Sequence, residues 1–415
     1  GWGMSPGYER QRSPDFYRPV TPECLVCHVG RVRSVPQTLN AYKDPPLDPI
    51  SISCERCHGP APDHPRDPTP GSIVNPAKLP QRARDSVCEQ CHLSGEARIP
   101  NPGKRLSDFQ AGENLENVYT VYVFKSSMDP AHPNALTVIS QSQQLALSQC
   151  ARQSHGKLWC GTCHDPHHVP VHPVAYYRAR CLSCHGDALL KAHPKPDANC
   201  IRCHMPRLPT SNGGHTIFTD HRIAIYTPRE ISSLRAASSV GGSEPESAND
   251  PLVPWHDPPP EFAERNLGLA YARVGNRLHS LTMIRRSYQL LFAAWPQFPK
   301  DPALLRALAQ IASGAKDGSD AQALLAKAAT IEPRSAPVYY EMAQAAEVAH
   351  DNPAAIRYLE KSLQLDPMLV APYEDLARIY IAENRFDLAH ATYEHFLKAF
   401  PENLQAKAGV LETGR

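Results

Sequence analysis

The pattern of apolar positions along this 415-residue chain changes once, near residue 261. Before that point hydrophobic periodicity is weak. The longest strand-like run, Val118 to Phe124, alternates apolar and polar positions and predicts a half-buried strand. Within the longer insert between His92 and Cys160, Tyr119, Tyr122 and Phe124 make a flap or a packing hairpin. Most of the 42 prolines lie before residue 260, so this part is expected to be loop-rich, with short helices. After Glu261 Ala and Leu become frequent, Pro becomes sparse and Cys disappears. Pro299, Pro333, Pro367 and Pro401 recur every 34 residues. Ala309, Ala343 and Ala377 share one register, and Ala321, Ala355 and Ala389 another, as small residues do where two helices touch. About four helix pairs are expected, with a capping helix over Asn403 to Leu411. The first pair is expected to have a long second helix ending near Trp295.

A 34-residue period of paired helices resembles the tetratricopeptide repeat. Leu267-Gly268 with Tyr271, and Leu376-Ala377 with Tyr380, resemble its Leu-Gly-x-x-Tyr signature. Each pair cannot bury its apolar face alone, so neighbours stack into a solenoid. Such a solenoid commonly offers a concave face to a peptide or protein; the plainer alternative is a rigid spacer.

The chemistry lies before the repeats. Cys-x-x-Cys-His occurs six times: Cys24-Cys27-His28, Cys54-Cys57-His58, Cys88-Cys91-His92, Cys160-Cys163-His164, Cys181-Cys184-His185 and Cys200-Cys203-His204. These use twelve of the thirteen cysteines. A disulfide framework has no need of a His after each pair. A zinc site wants two Cys pairs, or a Cys pair with a spaced His pair. The spacing is instead the attachment signature of c-type haem: two thiols form thioethers and the adjacent His meets one face of the iron. Six haems are therefore expected, over residues 1–227. Residues 228–260, rich in Ser, Gly and Pro, read as a linker, and 261–415 as the repeats. The fold class is mainly α: a multihaem region with little regular structure and one hairpin, then an α-solenoid.

Covalent haem is attached outside the cytoplasmic membrane, so the protein is expected in the periplasm or at the cell surface, its leader removed. No apolar run approaches a membrane span. A formal net charge of +1 argues against a nucleic-acid surface.

Each iron has a second axial position. Of the twenty His residues, His64, His132, His155, His167, His168, His172, His193, His215 and His221 lie in the haem region beyond the six motifs. Only Met4, Met128 and Met205 offer a thioether there. This supply favours bis-histidine coordination, which lowers the potential relative to Met ligation and closes the iron to substrate. His168 and His172 read as surface residues, the His residues after 255 as ordinary ones, and Cys150 as an inert buried thiol, with a reactive one as the alternative.

Several flanks carry a more specific resemblance. Cys57-His58-Gly59-Pro60 with His64, Cys163-His164-Asp165-Pro166-His167, Cys203-His204-Met205-Pro206-Arg207, and His215-x-x-Phe218-Thr219-Asp220-His221-Arg222 are similar to multihaem cytochromes of the cytochrome c-554 type, within them to forms fused to tetratricopeptide repeats. The resemblance implies that His64 and His167 are distal ligands to haems other than their own, and extends that role to His193, His215 and His221. A sixth ligand is less defined. Where the family often has a His before Gln-Leu, this chain has Gln141, leaving His132 or His155, a five-coordinate iron, or a ligand from a neighbouring molecule. The expected function is electron transfer with redox partner proteins or copies of itself, including a conducting filament. The alternative is an oxidoreductase acting on a small nitrogen or sulfur oxide at one open haem, although Cys-x-x-Cys-Lys, common in related nitrite reductases, is absent.

Overall fold

A computed structural model of the chain describes residues 19–69, 71–129, 136–193, 199–210, 217–239 and 251–414. It is mainly helical, as the pattern predicts, and its contacts divide it into two compact units. Among the described residues no helix is long and apolar enough to cross a membrane.

One unit holds 54–101 and 108–259. Its regular core is a three-stranded antiparallel sheet. Tyr119–Phe124 is the central strand, flanked by Ala97–Pro100 and Leu252–Pro254. The run pairs with Ala97–Pro100 in a packing hairpin, as expected, but it is buried at all six positions instead of on one face. Even its polar residue Thr120 is 1% exposed. A strand covered on both faces cannot show the period-two pattern. The stretch read as a linker supplies the edge strand Leu252–Pro254 and the helix Pro228–Ser239. Against this core lies the helix Gln81–His92, which buries Ala83, Ser86 and Val87. The hydroxyl of Ser86 accepts from the Leu115 amide at 3.0 Å.

The other unit holds 19–53, 102–107 and 260–414. Four helix pairs follow one another: Ala263–Arg277 with Leu281–Ala294, Pro302–Gly314 with Gly318–Ile331, Ala336–Val348 with Asn352–Leu365, and Val370–Ala382 with Phe386–Ala399; the helix Leu404–Thr413 closes the stack. The second helix of the first pair ends at Ala294 with Trp295 as its C-cap, as expected, but at 14 residues it is no longer than the later second helices. The six alanines in register are each at most 1% exposed, so helices approach closely where they sit. Gly268, from the Leu-Gly-x-x-Tyr segment, does the same in the first pair. A Cβ there would lie 2.8 Å from the Leu291 side chain, and its carbonyl accepts from the Ser287 hydroxyl at 2.8 Å. Helix starts are capped by Asp301, Asp317, Asp351 and Asn403, each accepting a first-turn amide at 2.8–3.1 Å, as short polar side chains do.

Polar ties repeat with the period. Arg306 pairs with Glu341 at 2.7 Å, Tyr340 donates to Asp375 at 2.9 Å, and Arg378 reaches Glu347 at 2.6 Å. The segment from 19 to 53 belongs to this unit. It contains the helix Pro22–Leu25 and the hairpin Val32–Ser34 with Tyr42–Leu47. Glu23 pairs with Arg273 at 3.1 Å, and Gln37 accepts from the Arg334 amide at 3.1 Å. The first Cys-x-x-Cys-His is thereby held on the repeats.

The last pairs share one buried core around Tyr373 and Phe396. Tyr373 and Phe396 are fully buried and stack at 4.8 Å with planes 3° apart. Phe396→Ala should lower stability by about 3–5 kcal/mol through loss of nearest-neighbour packing. Chemical denaturation of the full chain, followed by far-ultraviolet circular dichroism, should show the loss as an early transition.

Candidate haem-binding site

The motif residues sit where a helical turn brings them to one face. Cys54–His58 and Cys200–His204 are each a single turn. The third motif ends the helix Gln81–His92, the fourth forms Cys160–Cys163, and the fifth lies within Pro173–Ala192. Cys at i and i+3 with His at i+4 then project together. Two of the turns end on glycine in the left-handed region: Gly59 has φ +69° and Gly186 has φ +56°. Gly59 breaks the helix directly before Pro60, and Gly186 kinks its helix directly after His185. In the repeat unit Cys24 lies on Pro22–Leu25, and the His28 amide donates to Leu25 at 2.9 Å. All thirteen cysteines are free of disulfides.

Three motif imidazoles face a second imidazole. His58 and His167 have ring centres 5.8 Å apart with planes at 20°. His164 and His221 are 6.2 Å apart at 29°, and His193 and His204 are 6.2 Å apart at 57°. Each pair joins one motif His to one of the expected distal ligands. The Nδ1 atoms are engaged elsewhere. His58 reaches the Val74 carbonyl at 2.6 Å, His204 that of Ala224 at 3.0 Å, and His221 that of Thr219 at 2.9 Å. His164 contacts the Tyr177 hydroxyl at 3.4 Å, and His167 the Asp165 carboxylate at 3.5 Å. A ligating His has its other nitrogen fixed in this way, leaving Nε2 for the metal.

The separation fits iron between two imidazoles. Two metal–nitrogen bonds of about 2 Å, with about 1 Å from nitrogen to ring centre on each side, put the centres about 6 Å apart. Among the described residues no three or more His, Cys, Asp or Glu groups converge to chelate an ion by themselves. Each pair would hold an iron between two imidazole nitrogens, with a porphyrin supplying the other donors. Burial holds His164 and His221 below the usual imidazole range, with the neighbouring His92 adding to the effect, so both are neutral, as ligation requires. Burial raises the Cys57 and Cys163 thiols and lifts that of Cys181 to about 11.

Other candidates are placed differently. His64 has its Nδ1 2.7 Å from the Ser72 hydroxyl. His155 is exposed, in a turn with φ +50°. His92 has its Nδ1 3.4 Å from Gln141 Oε1, so the residue standing where the family often has a His contacts a motif imidazole. His132 and His215 lie outside the described residues. His28 and His185 are exposed at their motif turns. The carbonyls of Val74, Thr219 and Ala224 carry no sequence signal at all. Tyr177 and Gln141 could have been suspected only from their nearness to the motifs.

The helix of the third motif braces two others. Gln90 donates to the Arg56 carbonyl at 2.9 Å within the second motif. Arg84 lies 4.9 Å over the Trp159 ring, next to Cys160, and donates to Gly156 at 3.1 Å. Between Cys88 and Cys91, Glu89 is buried and charged. It accepts from Arg82 at 2.6 Å and from Trp255 at 2.8 Å, and lies 3.5 Å from His256. Burial alone would raise its carboxyl; the His256 contact and the Arg82 charge outweigh this and hold it below the usual carboxylate range.

The family described as cytochrome c554 and c-prime matches residues 8–59, a stretch holding the first two motifs. No curated protein matches the chain. Among solved structures, MamA protein is 19% identical over 35% of this chain and 80% of its own, with a TM-score of 0.31. Pseudomonas aeruginosa pilF is 16% identical over 36% and 72%, with a TM-score of 0.30. YrrB, titled a TPR protein with an unusual peptide-binding site, is 14% identical over 35% and 75%, with a TM-score of 0.29. The chain is thus similar to a c-type cytochrome at its start, and its own helix-pair period makes its last part a solenoid of the tetratricopeptide kind.

Arg82 also binds Glu116 at 2.6 Å, so Arg82→Ala strands two carboxylates and should cost about 3 kcal/mol. Because the Glu89 carboxyl is lowered on folding, its contribution is full above the ordinary carboxylate range and is lost as pH falls through its folded value. Urea midpoints measured against pH should fall less steeply in acid for Glu89→Gln than for the unsubstituted chain.

Proposed function

We propose that the chain conducts electrons through six covalently bound c-type haems, one on each Cys-x-x-Cys-His. The observation that carries this reading is the set of three imidazole pairs 5.8–6.2 Å apart, each joining a motif His to a distant one. Thioethers would form at Cys24, Cys27, Cys54, Cys57, Cys88, Cys91, Cys160, Cys163, Cys181, Cys184, Cys200 and Cys203. His28, His58, His92, His164, His185 and His204 would be proximal ligands. His167 closes the site of His58, His221 that of His164, and His193 that of His204. The three other sites draw on His64, His132, His155 and His215. A bound haem supplies a one-electron ferric–ferrous couple.

The protein's part is to hold the imidazoles still. Nδ1 contacts to backbone and to side chains fix the orientation of the rings, so little has to move when charge changes. An imidazole on each side leaves no face for a substrate, which favours conduction over transformation. Attachment of haem outside the cytoplasmic membrane puts the protein in the periplasm or beyond. The repeats dock a redox partner or further copies of the chain, and end-to-end assembly would extend the haem file into a filament.

Intact mass and absorption spectra test this. Mature protein should carry six haem increments, be low-spin when reduced, and be unchanged by carbon monoxide. Protein without covalent haem, or with a large carbon-monoxide-binding fraction, would overturn the reading. His167→Ala should open one site and bind about one equivalent of carbon monoxide. Native material found only as monomers by size exclusion and microscopy would rule out the filament.

A further inference from the structure

One short strap of chain touches two of the imidazole pairs. It follows the hairpin of Arg207–Pro209 with Ile217–Thr219 and runs to Tyr226. His221 on it faces His164, and its amide donates to Gln144 at 2.9 Å. Three residues later, the Ala224 amide donates to the His204 carbonyl at 3.1 Å, and the Ala224 carbonyl accepts from His204 Nδ1 at 3.0 Å. The Asp220 amide donates to Pro206, two residues beyond His204, at 3.0 Å. The same few residues therefore set the second imidazole of one site and the proximal imidazole of another.

The strap is cross-braced from inside. The Asp220 carboxylate is 0% exposed. It accepts from the Arg222 amide at 2.9 Å, from Arg222 Nε at 2.9 Å and Nη2 at 2.6 Å, and from the Tyr226 hydroxyl at 2.8 Å. Buried ion pairs gain little over apolar packing, while their geometry can fix one arrangement. A forked guanidinium on a carboxylate two residues away locks the turn that carries His221.

We propose that Asp220, Arg222 and Tyr226 form a positioning clamp that sets the ligand geometry of two haem sites together, through His221 at the Cys160–His164 motif and through Ala224 at the Cys200–His204 motif. This rests on the electron-transfer reading. The carbonyl of Ala224 makes His204 a stronger donor to iron, so loosening the strap raises the potential of that site. Loosening it also releases His221, which opens the other site.

The test is Asp220→Asn in the haem-loaded full chain, followed by electron paramagnetic resonance and a spectroelectrochemical titration. His221→Met serves as a marker for one site. Asp220→Asn should convert the low-spin signal marked by His221→Met to high-spin and raise the potential of one further site, leaving the others unchanged. Unaltered spectra and potentials, or equal change at every site, would overturn the clamp. If Asp220→Asn gives no haem-loaded protein, Tyr226→Phe decides, since it keeps the Asp220–Arg222 pair: it shifts the same two signals by a smaller amount, or it moves none and the clamp fails. Wild-type protein without covalent haem would instead defeat the electron-transfer reading, and would be seen before any variant is made.

Discussion

The unit carrying the later motifs turns on three imidazole pairs with ring centres 5.8–6.2 Å apart, and five of the six rings have Nδ1 contacting a group outside the pair. One imidazole of each pair comes with its motif. The other arrives from elsewhere in the chain: His167 for His58, His221 for His164 and His193 for His204. The loops are accordingly the working part of this unit. Backbone carbonyls at Val74, Thr219 and Ala224 hold rings in place, and a loop carbonyl can be aimed in directions that the carbonyls of a regular helix cannot, because those already accept from their own ladder.

A second constraint follows from the shortage of ordinary core. The small sheet around Tyr119–Phe124 is the main apolar centre, and the helix Gln81–His92 projects from it toward the motifs. That helix ends in a motif of its own, holds the second through Gln90 and steadies the fourth through Arg84. Its buried charge, Glu89, is tolerated because Arg82, Trp255 and His256 surround it. The acidic residue inside the third Cys-x-x-Cys is thus part of the frame around the site.

The repeat unit obeys a different logic. Its contacts are local and periodic, with polar ties spanning about one repeat and alanines recurring at each helix crossing. Nearest-neighbour stacking stabilises it, and the same regularity made it readable. The proline interval, the alanine registers and the Leu-Gly-x-x-Tyr segments each mark a place where helix meets helix. The end of the first pair's second helix at Trp295 was legible; only its length was overestimated, since it matches the later second helices.

What the residues determined alone was everything encoded over short spacings: the Cys-x-x-Cys-His turns, the helix-pair period and the supply of spare imidazoles. A helical turn and a repeat are both fixed by neighbours in sequence, so their signatures are local. Tertiary structure decided which spare imidazole faces which motif, that the alternating run at Tyr119–Phe124 is covered on both faces, and that the segment around Cys24–His28 lies against the repeats. These outcomes depend on contacts between segments far apart in the chain, and the residues that make them, a carbonyl at Ala224 or an amide at Gln144, look the same in sequence whether or not they are used.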